Sequence, residues 1–167
     1  AAMESHSVSR VRSKTPSDRL NVVEHRGFRK VLGKIQWAAR MMYFEEACTA
    51  SILSAGLAQP TIQHLLDANA ALRRIKRHAG VQLSYHPGFN PYAGAGLCVH
   101  DAGFDNAPGH KSQRGHMLLL AAGEIIDDHR TRHQIHPISW QSSRISRAVR
   151  STLSAEASRL LRRDGQP

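Results

Sequence analysis

The apolar residues of this chain change their period once, and that change limits the fold more than any other feature. Between positions 28 and 75 they recur every three or four residues, and from position 97 onward they come in short continuous runs. The first spacing puts side chains along one side of a helix, whereas short apolar runs bounded by Gly and Pro suit strands. Phe28, Val31, Leu32, Ile35 and Ala39, extended by Met42, predict a helix over 27–42. A small-residue face of Ala47, Cys48, Ser51, Ile52 and Ala55 predicts a second over 44–57, bracketed by Gly56 and Pro60. Thr61 is the expected N-cap of a third, whose stripe is Ile62, Leu65, Leu66, Leu72 and Ile75 and which Gly80 ends.

Pro87, Gly88, Pro91, Gly94 and Gly96 then punctuate a loop, which sets the boundary near 87–93. Leu97-Cys98-Val99 reads as a strand, 105–109 as a turn, 116–122 as a second strand and 138–140 as a third. The charged, His-rich stretch 123–136 reads as an exposed hairpin loop, and 151–163 as a helix with Leu153, Ala157, Leu160 and Leu161 apolar. The expected class is therefore α+β. A helical part spans 20–86, and three antiparallel strands with one helix fill 94–167. The polar, Ser/Arg-rich residues 1–19 read as a disordered arm.

Charge narrows the partners. Lys and Arg number 23 against 13 acids, a formal net charge of +10, with an isoelectric point near 10.6. Such a balance favours a polyanion, because each neutralised phosphate releases a counterion; the plainer reading is a merely basic surface. Arg73, Arg74 and Arg77 share the polar side of the third helix, and Arg144, Arg147 and Arg150 are three apart. Both sets are candidates for a nucleic-acid backbone, and both also read as ordinary solvated charge. Two cysteines are too few for a disulfide framework or a zinc knuckle, and Cys48 and Cys98 sit among apolar residues, so both are expected as buried reduced thiols. No apolar run nears the roughly 20 residues of a membrane span. The first residues lack the order of a secretory signal, so a cytoplasmic or nuclear location is expected.

Several segments, in order, resemble one family. Phe28-Arg29-Lys30-Val31-Leu32-Gly33-Lys34-Ile35-Gln36-Trp37 is similar to the stretch after the polymerase core of copia-type retrotransposon Pol polyproteins. Ala71-Leu72-Arg73-Arg74-Ile75-Lys76-Arg77 resembles the helix that follows it there. Leu97-Cys98-Val99-His100-Asp101-Ala102-Gly103 resembles the opening strand of the family's ribonuclease H domain. Lys111-Ser112-Gln113-Arg114-Gly115-His116, Pro137-Ile138-Ser139-Trp140-Gln141-Ser142 and Ser154-Ala155-Glu156-Ala157 resemble its second strand, third strand and first helix. The matches keep their order over about 140 residues. Departures are Gly103 where a second acid is usual, a longer loop at 123–136, and Ser158 in place of a Glu.

The resemblance implies a partial ribonuclease H-like fold and ancestral hydrolysis of the RNA strand of RNA–DNA hybrids. Two Mg²⁺ ions would flank the scissile phosphate, held by carboxylates. Asp101 and Glu156 correspond to the first two acids and are the expected catalytic and metal-binding residues. The family's further acids fall past Pro167, which implies weak Mg²⁺ binding and little hydrolysis by this chain alone. Implied partners are hybrid or other nucleic acid and the rest of a Pol polyprotein. The alternative is a basic, non-enzymatic assembly module that binds nucleic acid or a protein complex.

Overall fold

The structure is a computed structural model that describes residues 3–87, 89–107, 111–126 and 132–145. The chain divides into two compact units, 1–81 and 82–167.

The first unit holds three helices: α1 (Val22–Met41), α2 (Ala47–Ala55) and α3 (Ile62–Arg77). Helix α1 starts five residues before the expected position 27 because its N-terminus carries a capping box. The Asn21 side chain accepts from the Glu24 backbone N–H at 2.9 Å, and the Glu24 carboxylate accepts from the Asn21 N–H at 2.9 Å. In α3 the Glu of that box is replaced by His64, whose Nδ1 accepts from the Thr61 N–H at 3.1 Å. Phe28, Val31, Leu32 and Ile35 from α1 meet Leu65, Ala68, Leu72 and Ile75 from α3 and Ala50 and Leu53 from α2, all nearly inaccessible. The predicted stripes of α1 and α3 thus supply the core, except that Leu66 is only half-buried and Met42, just past the end of α1, packs at its edge. The second element opens with a single 3-10 turn over Phe44–Glu46 before α2 begins.

Residues 3–20 depart from the disordered arm expected for 1–19. Met3, Val8 and Leu20 pack on the core. Asn69, buried in α3, takes the His6 backbone N–H and donates to the His6 carbonyl at 3.2 and 2.8 Å. The His6 ring lies where a Cβ on Gly27 would stand, 2.4 Å away, so only glycine fits in α1 there. Arg12 then forms two hydrogen bonds to Glu24 at 3.1 and 2.8 Å, one to Asp18 at 3.1 Å, and one to the Arg19 carbonyl at 2.8 Å. The segment is ordered because its polar groups find internal partners, a property that composition does not register.

A second ion pair sits at the start of α2. The Glu46 carboxylate, only 3% exposed, receives Arg74 Nε and Nη2 at 2.6 and 2.7 Å. Such a two-point contact satisfies a carboxylate that burial would otherwise penalise.

The second unit contains an antiparallel sheet in the order β1 (Gly94–Ala107), β2 (Lys111–Ala122), β3 (Ile135–Arg144). All three strands are longer than the apolar runs that predicted them, since pairing continues into the polar flanks. The register sets Asp101 opposite Gly115, and Gly115 opposite Ser142. The neighbouring row on the same face is Val99, Met117 and Trp140. A bulge between Leu118 and Leu119 shifts the pairing to β3. The expected loop at 123–136 is a 3-10 turn at Gly123–Ile126 and, at its far end, the start of β3. His136 there is 4% exposed and contacts the rings of Tyr85 and Phe89 at centroid distances of 5.7 and 4.5 Å. The expected turn residues 108–109 and the expected helix over 151–163 lie outside the described residues.

Two outcomes test these contacts. Replacing Arg74 by Met strands the Glu46 carboxylate, and denaturant unfolding should show a loss of about 2–3 kcal/mol. Adding Glu46→Gln to that variant should restore part of it. The Glu24 carboxyl is held below its ordinary range chiefly by hydrogen bonds from Arg12, with help from the Asn21 N–H, against the cost of burial. Its contribution is present above the unfolded pKa, about 4.3, and is lost as pH falls through the lower folded value. The stability gap between wild type and Glu24→Gln should be widest above about pH 5 and narrow in more acidic buffer.

Candidate nucleic-acid interface

The face of α1 opposite the core is cationic. Since Phe28, Val31, Leu32 and Ile35 point inward, positions 26, 29, 30, 33, 37 and 40 point outward. They are Arg26, Arg29, Lys30, Gly33, Trp37 and Arg40, all exposed. Val22, His25, Arg26, Arg29 and Lys30 line a surface groove of about 590 Å³. His25 Nε2 is buried at this end of the helix with no hydrogen-bond partner. No acid stands among the described lining residues, so a polyanion entering the groove meets three cationic side chains and an imidazole.

Trp37 and Gly33 give this stripe its character. Trp37 is 62% exposed, an unusual setting for the largest side chain, and it is flanked one turn away by Arg40 and by Gly33. A Cβ added at Gly33 would meet nothing within 4 Å, so no internal contact requires a glycine there. Mid-helix glycine costs roughly 0.5–1 kcal/mol relative to alanine. What it leaves is a notch of bare backbone beside an aromatic plate, open to close approach from outside. Cationic side chains that follow a phosphate chain, with an aromatic ring for bases or sugars, form the usual chemistry of nucleic-acid grooves.

The arginines expected to contact nucleic acid have different fates. Arg73 and Arg77 are exposed, one turn apart on α3. Arg74 is committed to Glu46, which raises its pKa and takes it out of the set of available phosphate contacts. Arg144 is exposed at the end of β3, opposite Gln113. Arg147 and Arg150 lie outside the described residues.

Asp101 is exposed in the middle of β1. Its row partners Gly115 and Ser142 bring no carboxylate. Among the described residues no three His, Cys, Asp or Glu side chains converge on a point. Those residues alone therefore do not fit a Mg²⁺ site, which needs several carboxylate oxygens. Glu156 lies outside the described residues, so its distance from Asp101 does not enter the geometry.

The cysteines differ from expectation: Cys48 and Cys98 are both free and exposed. Cys48 lies on the side of α2 away from Ala50 and Leu53, and Cys98 projects from the face of the sheet opposite to Val99. Apolar neighbours in sequence do not bury a residue whose helix or strand phase turns it outward.

No protein-family model, no curated protein and no solved structure matches this chain. No helix among the described residues is long and apolar enough to cross a membrane.

Gly33 separates stability from binding. Gly33→Ala should raise the melting temperature by a few degrees, since the new methyl meets no clash and helix propensity improves by about 0.5–1 kcal/mol. The same variant should bind single-stranded or hybrid oligonucleotides several-fold more weakly in a fluorescence-anisotropy titration.

Proposed function

We propose that this chain is a nucleic-acid-binding piece of a copia-type retrotransposon reverse transcriptase and ribonuclease H. The observation that carries the binding half of this reading is the outward stripe Arg26, Arg29, Lys30, Gly33, Trp37 and Arg40 on α1. Arg29, Lys30, Gly33 and Trp37 of this stripe fall within the Phe28–Trp37 segment that resembles the family, so the sequence likeness and the surface chemistry favour the same residues. Support for the ribonuclease H half comes from three consecutive antiparallel strands that carry the resembling motifs in order, with Asp101 mid-strand on the face of Val99, Met117 and Trp140.

The division of labour follows from charge. The α1 stripe tracks the phosphate backbone, and Trp37 stacks on a base or sugar. Asp101 and Glu156 are the residues that would hold Mg²⁺ beside a scissile phosphate. Among the described residues Asp101 has no second carboxylate in its row, so the reading rests on binding and not on hydrolysis.

The experiment is a titration of the full chain with labelled RNA–DNA hybrid at several salt concentrations, followed by a cleavage assay with Mg²⁺. Binding that weakens steeply with salt is expected. Trp37→Ala should weaken it by roughly tenfold, in line with the 1–3 kcal/mol of a stacked base. Little or no shortened RNA should appear. Salt-insensitive binding, or none, would overturn the proposal. Cleavage that Asp101→Asn abolishes would replace the binding role with a catalytic one.

A further inference from the structure

Positive charge is unevenly spread along the outer face of α1. Arg26, Arg29 and Lys30 fall within about 6 Å of helix axis, and the next exposed cation of the helix, Arg40, comes ten positions after Lys30. Lys34, between them in sequence, is half-buried and donates to the Glu4 carbonyl at 3.2 Å. Helix side chains three or four positions apart are neighbours, and like charges so placed cost the helix stability. No acid of α1 offsets them. Its only acid, Glu24, is held by Arg12 and the Asn21 N–H. Among the described residues, Arg26, Arg29 and Lys30 form no hydrogen bond or ion pair through their side chains.

Three mutually repelling cations around one groove of about 590 Å³ suit an anion that carries its charge in one place. An internal phosphodiester offers a single negative charge and two free oxygens. A terminal phosphomonoester carries about −1.5 to −2 at neutral pH and three strong acceptor oxygens, so it forms more charge-assisted hydrogen bonds. Arg26 and Arg29 present forked guanidinium donors to such a group, and Lys30 adds a compact charge. The position of the groove agrees with this chemistry. It begins at Val22, the first residue of α1, so the dense charge stands at one end of the outward stripe. Trp37 lies roughly 10 Å along the axis from Lys30, with the Gly33 notch between. A strand whose end is fixed in the groove can therefore run past Gly33 and stack a base on Trp37.

We infer that the groove of Arg26, Arg29 and Lys30 is a subsite for the terminal phosphate of a nucleic-acid strand. This rests on the nucleic-acid-binding reading above and names the part of the strand that the cationic end of α1 takes. The subsite anchors an end, and the rest of the stripe follows the strand from there.

The test is a fluorescence-anisotropy titration of the full chain with one internally labelled single strand in four forms. These carry hydroxyls at both ends, a 5′-phosphate, a 3′-phosphate, or hydroxyls and one extra nucleotide as a control for added charge. The 5′- or the 3′-phosphorylated strand should bind about tenfold tighter than the longer control, and the two arms identify the end. Arg29→Gln and Lys30→Gln should each shrink that ratio, whereas Trp37→Ala should weaken every form and preserve it. Circular dichroism melts establish that these exposed substitutions leave the fold intact. Inorganic phosphate alone, followed by calorimetry, should bind far more weakly than the phosphorylated strand; equal affinity would overturn the assignment to a strand end. Phosphorylated and control strands that bind alike, or a ratio that survives Arg29→Gln and Lys30→Gln together, would overturn the subsite and leave the nucleic-acid reading standing. Absence of binding to every form would overturn both.

Discussion

One guanidinium organises the first unit. Arg12 reaches Glu24, Asp18 and the Arg19 carbonyl together, and Glu24 is also the acid of the capping box that starts α1. The docking of the N-terminal segment and the first turn of α1 are therefore one network. A carboxylate that satisfies both a backbone N–H and a guanidinium cannot lose either partner without cost, because it is nearly buried. The outward stripe on α1 depends on this arrangement, since its first member, Arg26, and the groove residues Val22 and His25 lie within the turns that the box fixes.

Much of the helical half was legible. The period of Phe28, Val31, Leu32 and Ile35, and that of Ile62, Leu65, Leu72 and Ile75, identify α1 and α3 and their buried sides, because in a small unit apolar spacing and packing are the same fact. The N-terminal segment was not legible. Ser and Arg signal disorder by composition, and what orders this stretch is its hydrogen bonding, such as the clasp of the Asn69 amide on the His6 peptide. A clasp of that kind depends on tertiary placement and leaves no periodic trace.

The candidate sites divide in a similar way. Arg74 belongs to a basic run that looks uniform in sequence, yet its phase on α3 brings it to Glu46 while Arg73 and Arg77 stay in solvent. The cationic stripe of α1 is written in the sequence only as the complement of the apolar one. Cys98 is the opposite case. A run of apolar letters suggests burial, whereas strand alternation sends successive residues to opposite faces, and Cys98 and Val99 are both exposed on theirs.

The clasp between Asn69 and His6 also has a consequence for the order in which this chain takes shape. Its two ends are 63 positions apart, whereas every pairing in the sheet joins strands that follow one another along the chain. Hairpins of that local kind close in about 1–10 µs. The N-terminal segment has no surface to settle on until α1 and α3 have met. During synthesis it emerges before α1 and waits through dozens of residues for Asn69, so a stretch made ahead of the helices is fastened after them.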